Sequence, residues 1–390
     1  MKNLMKKFLL ADFCWQFGDA LFLIVVNWYI LDAFQKSGYV STFYLVSTIA
    51  GIIISIVYWG YFIKKDSIGI IVNLNISMIC MILGSLMIIT ICGANLFSIY
   101  VLAVCNGIGW NLYFPVSKIL LGEIAREGEI LEGNSFSETA MQGGTLVSSM
   151  IGGVLYKIAG FGSTMMLIVV MYVISTFFIR RISIYKANNS DEQINIVNGW
   201  DVRILFQSFA MSVPFIASIC INASLAGYVR NCLGGNEICY GIFNTVFAVG
   251  ACLAGFYTMT RFAKDRKGIA IAMSFLFTIL SGFALYLKVN VFLSGTVIFL
   301  MGLFGPSIRI FLYTELMQTI KGEALGMLLS IFNIVGLGIQ TLISLVLSYQ
   351  VDMAGDNIGF LYYSGVMALG AICFVASHKG NVINDRVEME

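Results

Sequence analysis

An all-α membrane protein is the fold class this sequence predicts: twelve transmembrane helices in two six-helix bundles with pseudo-two-fold symmetry, both termini cytoplasmic. Three observations predict it: an apolar composition, apolar runs of membrane length along the whole chain, and short patterns that recur half a chain apart. Of 390 residues, 59% are hydrophobic and 11% are charged, against about a quarter charged in soluble domains. No water-soluble core could hide that much apolar surface.

Each run is close to the roughly 20 residues that a helix needs to cross the hydrocarbon layer. The first six are Phe8 to Leu31, Val40 to Ile63, Ile68 to Cys92, Leu96 to Leu121, Ser135 to Ala159 and Thr164 to Ile182. The second six are Ile204 to Val229, Ile238 to Met259, Ile269 to Leu287, Val291 to Tyr313, Ala324 to Ser348 and Ile358 to Ser377. The MKNLMKK start resembles a secretory leader, but the run behind it is long, carries Asp12 and Asp19 and has no small-residue cleavage site. It is expected to remain as the first helix.

Between the two sets lies the longest polar stretch, so the expected division is a bundle over 1–183, a cytoplasmic linker over 184–203, a bundle over 204–378 and a cytoplasmic tail over 379–390. KDSIG at Lys65–Gly69 recurs as KDRKG at Lys264–Gly268, and Gly51 and Gly250 keep the same spacing from those loops. GEIL at Gly128–Leu131 and GEAL at Gly322–Leu325 both enter a fifth helix of their half. A shared offset of this kind is what a duplicated transporter leaves in a sequence.

Orientation follows from the basic residues. With the N-terminus inside, the outer loops hold only Lys36, Lys157, Arg230 and Lys288 of the 23 lysines and arginines. Lys118 and Arg309 lie within helices, and the rest fall on the inner side, which the positive-inside rule assigns to the cytoplasm of a bacterial cell membrane. The net charge of +2 is spread over short loops and points to no nucleic acid. Nine cysteines without a CxxC pair, and the single His378, make metal or cofactor chemistry unexpected. Cys232 and Cys239 share an outer loop, where a disulfide and two separate thiols are both open.

A charge inside a bilayer costs several kcal/mol, about 2.5 to 3.5 on insertion scales, so its position is informative. The first helix carries Asp12, Gln16, Asp19 and Asn27 on one face of a 3.6-residue period. The fourth offers Asn106, Asn111 and Lys118; the seventh Gln207 and Asn222; the tenth Arg309 and Tyr313. Such stripes suit a wet pathway for cargo, and each also suits a bond between neighbouring helices. Asp19, near mid-helix, is the expected proton carrier, with Glu138 and Asp12 as the other coupling carboxylates. Lys118 and Arg309 are placed to meet an anionic group or to pair with Asp12 or Glu138. Gly144, Ser148, Gly152 and Gly153 put small residues where helices must approach closely, and Gly60, Lys65 and Asp66 mark the loop that would gate the second and third helices. No nucleotide-binding or nucleophile motif is present, so the chain is not expected to be an enzyme, and an ion or cargo gradient is the expected energy source.

FGDALFLIVVNW, with Gly18, Asp19 and Trp28, resembles the first helix of the macrolide-efflux-like drug exporters of the major facilitator superfamily. Gly144 to Gly153 is similar to the antiporter motif of exporters, with Ser148 and Ser149 where the family has Gly-Pro, and Gly60 matches the superfamily's loop motif while Lys64 replaces its acid. The resemblance implies proton-coupled export of an amphipathic small molecule by a monomer. YFPVSKILLGEI and GNSFSE are similar to the lysophospholipid transporters of the same superfamily, which would make Asp19, Lys118 and Glu138 contacts to a lipid headgroup. A membrane sensor that keeps the fold without transport is the third reading.

Overall fold

The computed structural model describes residues 2–57, 66–124, 130–182, 202–319 and 323–387. All regular structure among them is helical. We number the long helices in chain order: α1 Lys2–Phe34, α2 Gly38–Val57, α3 Ser67–Cys92 and α4 Leu96–Ile124, then α5 over 130–159 and α6 over 161–180. The second half holds α7 Val202–Gly227, α8 Glu237–Met259, α9 Lys267–Tyr286, α10 Val291–Thr319, α11 Glu323–Ala354 and α12 Ile358–Val387. A π-helical turn, Tyr228–Cys232, follows α7, and a five-residue helix, Arg261–Asp265, precedes α9.

Among the described residues, eleven helical segments are long and apolar enough to span a bilayer. The longest, Thr139–Arg180, covers two of the expected runs. Gly160 has φ 72° and ψ 178°, a conformation open almost only to glycine. Without that break the 51-residue stretch Ile130–Arg180 would be about 76 Å long at 1.5 Å per residue, far beyond the roughly 30 Å of hydrocarbon. Gly160 therefore separates α5 from α6, as the sequence runs require. Residues 184–201 of the expected linker, together with Gly60 and Lys65, lie outside the described residues.

The chain forms two compact units, Met1–Asn189 with Val229–Thr245, and Ser190–Tyr228 with Val246–Glu390. In the first, α1 packs along α5 and α6, while α4 packs on α2 and α3. In the second, α7 packs on α10, α11 and α12, and α9 on α10 and α12.

Both units build one helix pair in the same way. Asn95 Oδ1 accepts from the backbone N–H of Ser98 at 2.9 Å and starts α4; Asn290 Oδ1 accepts from that of Leu293 at 2.9 Å and starts α10. Each side chain satisfies one of the donors that a helix N-terminus leaves open. Twelve residues on, Gly107 lies against the Ser47 carbonyl of α2, and Gly302 against the Phe247 carbonyl of α8. Gly51 and Gly250 face these crossings from α2 and α8. The glycine spacing seen in the sequence thus corresponds to backbone-to-backbone contact of the kind that holds membrane helices together.

A β-branched side chain at such a crossing must push the helices apart, at about 1–3 kcal/mol for overpacking. Gly107→Val and Gly302→Val are each expected to lower the unfolding midpoint in detergent, whereas Gly84→Val, at a position with open space around it, is not. Equal midpoints for all three would show that the crossings carry no stability.

The three prolines of the chain all lie inside long helices, Pro115 in α4, Pro214 in α7 and Pro306 in α10. Each removes one backbone donor from its helix.

Candidate functional site

The site in the first unit is built on α1. Gly144 lets the α5 backbone approach it, since a Cβ there would lie 2.7 Å from the Phe13 carbonyl oxygen and 2.9 Å from the Phe17 nitrogen. Gly18 does the same for the Tyr172 ring of α6, whose nearest carbon would stand 3.1 Å from an added Cβ. With α1 gripped on these sides, Asp12, Gln16, Asp19 and Asn27 are all buried.

Asp12 is fully enclosed. Its Oδ1 accepts from the Tyr113 hydroxyl of α4 at 2.7 Å, and its Oδ2 from the Ser137 hydroxyl of α5 at 2.6 Å. Lys118 Nζ donates to Ser137 Oγ at 3.3 Å and stands 5.5 Å from the centre of the Phe114 ring. Asp12 and Lys118, seven residues short of and well beyond the mid-helix acid in sequence, are thus joined through one serine.

Asp19 differs. It is 4% exposed, and its Oδ1 has no hydrogen-bond partner among the described residues. The same holds for Gln16 Oε1, Trp15 Nε1 and the Tyr172 hydroxyl. A buried acceptor without a donor costs about 1–3 kcal/mol, and such groups in native proteins usually have a use.

A half-buried ladder runs along α4 beside these acids. Trp110 and Phe114 are one turn apart with centroids at 5.5 Å and planes at 20°, and Lys118 continues the row one turn on. Trp15 anchors it from α1, 6.2 Å from Trp110 and stacked flat on Tyr113 at 3.8 Å and 4°. An aromatic face ending in a cation can hold an apolar body with a polar or anionic head.

The remaining expected residues divide. Asn27 Nδ2 donates to the hydroxyls of Tyr44 at 2.8 Å and Tyr240 at 3.2 Å. Asn106 donates to Ser47 Oγ at 2.7 Å, and Asn111 to the Gly107 carbonyl of its own helix at 3.0 Å, so both serve packing in this state. Gln207 Nε2 donates to Glu315 at 2.6 Å, and Glu315 pairs with Lys267 at 3.0 Å. Asn222 is half-buried, while Arg309 and Tyr313 are exposed. Ser148 bonds back to the Thr145 carbonyl at 2.9 Å, Gly152 meets Leu21 and Ile24 of α1, and Gly153 meets the Glu237 carbonyl of α8. Asp66 caps α3 by accepting from the Gly69 N–H at 3.1 Å. The Glu138 side chain lies outside the described residues. Cys232 and Cys239 are separate thiols.

Several participants were not singled out from the sequence: Tyr113, Ser137, Tyr172, Trp110, Phe114, Glu315, and the pair Asp32–Arg230. Arg230 Nη1 meets Asp32 Oδ1 at 2.9 Å, its Nη2 donates to Gln35 at 3.1 Å, and the Tyr156 hydroxyl donates to Asp32 at 2.8 Å. An acid and a base at the ends of membrane helices, with no soluble domain to serve, was the available signal.

A family model for the Major Facilitator Superfamily matches residues 8–339. The chain belongs to the Major Facilitator Superfamily. Among solved structures of this superfamily's fold, a bacterial homologue of the iron transporter ferroportin in its inward-facing state has a TM-score of 0.75 at 14% identity, covering 97% of this chain and 99% of that one. A POT family transporter, PepTSo, has a TM-score of 0.73 at 11% identity over 97% and 98% of the two chains. A D-xylose-proton symporter has 0.72 at 12% identity over 95% and 96%. At these identities the likeness is one of fold. No curated protein sequence matches the chain. The family match and these structures give the chain the multi-pass fold of this superfamily's transporters.

Proposed function

We propose that this superfamily member is a proton-coupled exporter of an amphipathic small molecule, such as a drug, antibiotic, siderophore or similar metabolite. The observation that carries the reading is Asp19, a buried carboxylate with an unpartnered oxygen in the unit that also bears the Trp110–Phe114–Lys118 ladder. Protonating a carboxylate oxygen that no donor among the described residues holds breaks no hydrogen bond, so its ionisation can be tied to a conformational cycle. The ladder offers an apolar body and a headgroup their separate contacts. Resemblance of the first and fifth helices to drug exporters supports the direction, and the lysine and arginine asymmetry supports cytoplasmic termini in a bacterial cell membrane.

A second reading, transport of a lysophospholipid-like lipid, is favoured by one contact. Lys118 and Ser137, from the two sequence stretches that resemble those transporters, touch at 3.3 Å. Reconstituted vesicles loaded with a pH-sensitive dye separate the two. Amphipathic drugs added under a pH gradient are expected to release protons in proportion to their movement. Movement of a fluorescent lysophospholipid without proton flux would replace the first reading with the second, and neither movement would leave a sensor with this fold. Labelling of a cysteine placed in 190–198 from outside intact cells would reverse the orientation.

A further inference from the structure

Two buried carboxylates lie on one helix, and buried hydroxyls from α4 and α6 belong to the same unit. Asp12 and Asp19 are two turns apart on α1, about 10 Å along its axis. Between them the Trp15 indole lies flat on Tyr113, with the Tyr172 ring 6.3 Å away. The Tyr113 hydroxyl already donates to Asp12. Ser175 lies one turn beyond Tyr172 on the same buried face of α6. Tyr113, Tyr172 and Ser175 are fully buried, and the hydroxyls of Tyr172 and Ser175 have no hydrogen-bond partner among the described residues.

Among the described residues most buried hydroxyls bond back to a carbonyl of their own helix, as Ser55 does with Gly51 and Ser208 with Ile204. Tyr172 and Ser175 do not. A hydroxyl both donates and accepts, so a row of them between two carboxylates can pass a proton with a buried water in each gap. On the far side, Asp12 continues to Ser137 and Lys118. Lys118 from α4 and Ser137 from α5 face the Asp12 end of this row.

We propose that the first unit carries protons between Asp19 and Asp12 through the hydroxyls of Tyr172, Ser175 and Tyr113. The inference rests on Asp19 being the coupling carboxylate. In one passage the Asp19 proton goes to the Tyr172 oxygen while that hydroxyl's own proton moves on. Ser175 and Tyr113 do the same, and Asp12 takes the last one. Asp19 is then ionised, Asp12 neutral, and each hydroxyl keeps one proton with its direction reversed.

The test is time-resolved infrared spectroscopy of the full chain in lipid nanodiscs after a light-triggered pH jump. Asp19→Asn identifies the carbonyl band of Asp19. Tyr113→Phe and Tyr172→Phe keep the rings and their packing, and are expected to slow the rise of that band about a hundredfold without changing its final height. Ser175→Ala should slow it as well, and deuterated solvent should slow the unmodified protein. A purely structural role would change the height and not the rate. Unchanged rates in both phenylalanine variants, with the Asp19 band present, overturn the relay and leave the coupling role standing. Absence of any Asp19 band over the whole pH range overturns both.

Discussion

Replacing Asp19 by asparagine is expected to abolish accumulation of cargo against a gradient while leaving downhill exchange in vesicles largely intact. Asparagine keeps the size and the hydrogen bonding of the side chain but has no proton to exchange. The site tolerates the change because Asp19 Oδ1 bonds to nothing among the described residues, so no partner is orphaned. One proton moving through 100 mV is worth about 2.3 kcal/mol, or roughly a fiftyfold concentration ratio of cargo. That ratio should fall to one in the variant. Asp12 and Glu138 supply the controls. Asp12 is held by two short hydrogen bonds, so Asp12→Asn should slow transport and also lower stability, which Asp19→Asn should not. If Asp19→Asn still drives uphill transport at the unmodified rate and Glu138→Gln does not, the coupling carboxylate is Glu138.

The helices were legible because a bilayer demands long apolar runs, and the break between the fifth and sixth was legible because both runs are of membrane length. Gly160 carries it out with a conformation that periodicity does not reveal. The acids of α1 were legible because charge is rare in such a sequence. Their partners were not. Tyr113 reads as one more aromatic in an apolar helix and Ser137 as a small polar residue, and they lie 101 and 125 positions from Asp12. Gln207 shows the converse: its polar stripe suits cargo, and the folded chain gives it Glu315, 108 positions away. Helical periodicity places a side chain on a face. Which of two neighbours that face meets depends on tertiary packing.

Substituting Gly153 by valine is expected to reduce transport to background while leaving the helices folded. Gly153 lies in the first unit, where α5 crosses the first turns of α8. An added Cβ would run into the Glu237 carbonyl oxygen, with its carbon at 2.9 Å and Ile238 Cα at 3.1 Å. From the other side, a Cβ on Gly241 would come within 3.1 Å of the Gly153 nitrogen and 3.4 Å of the Ser149 carbonyl. Backbone cannot retreat as a flexible side chain can, so valine costs about 1–3 kcal/mol in the crossed arrangement, a shift of roughly 5- to 150-fold in its population. The neighbouring ion pair matters less. Arg230 and Asp32 have side chains 26% and 41% exposed, and such pairs contribute about 1 kcal/mol or less, so Arg230→Ala should lower transport by no more than about fivefold. An impermeant maleimide reports the crossing directly through Cys239, which is half-buried near the start of α8, in a Cys232→Ser background. Labelling of Cys239 should quicken in Gly153→Val and change little in Arg230→Ala. Gly153→Val with unmodified transport and unmodified Cys239 labelling would show that the crossing does not have to close for cargo to move.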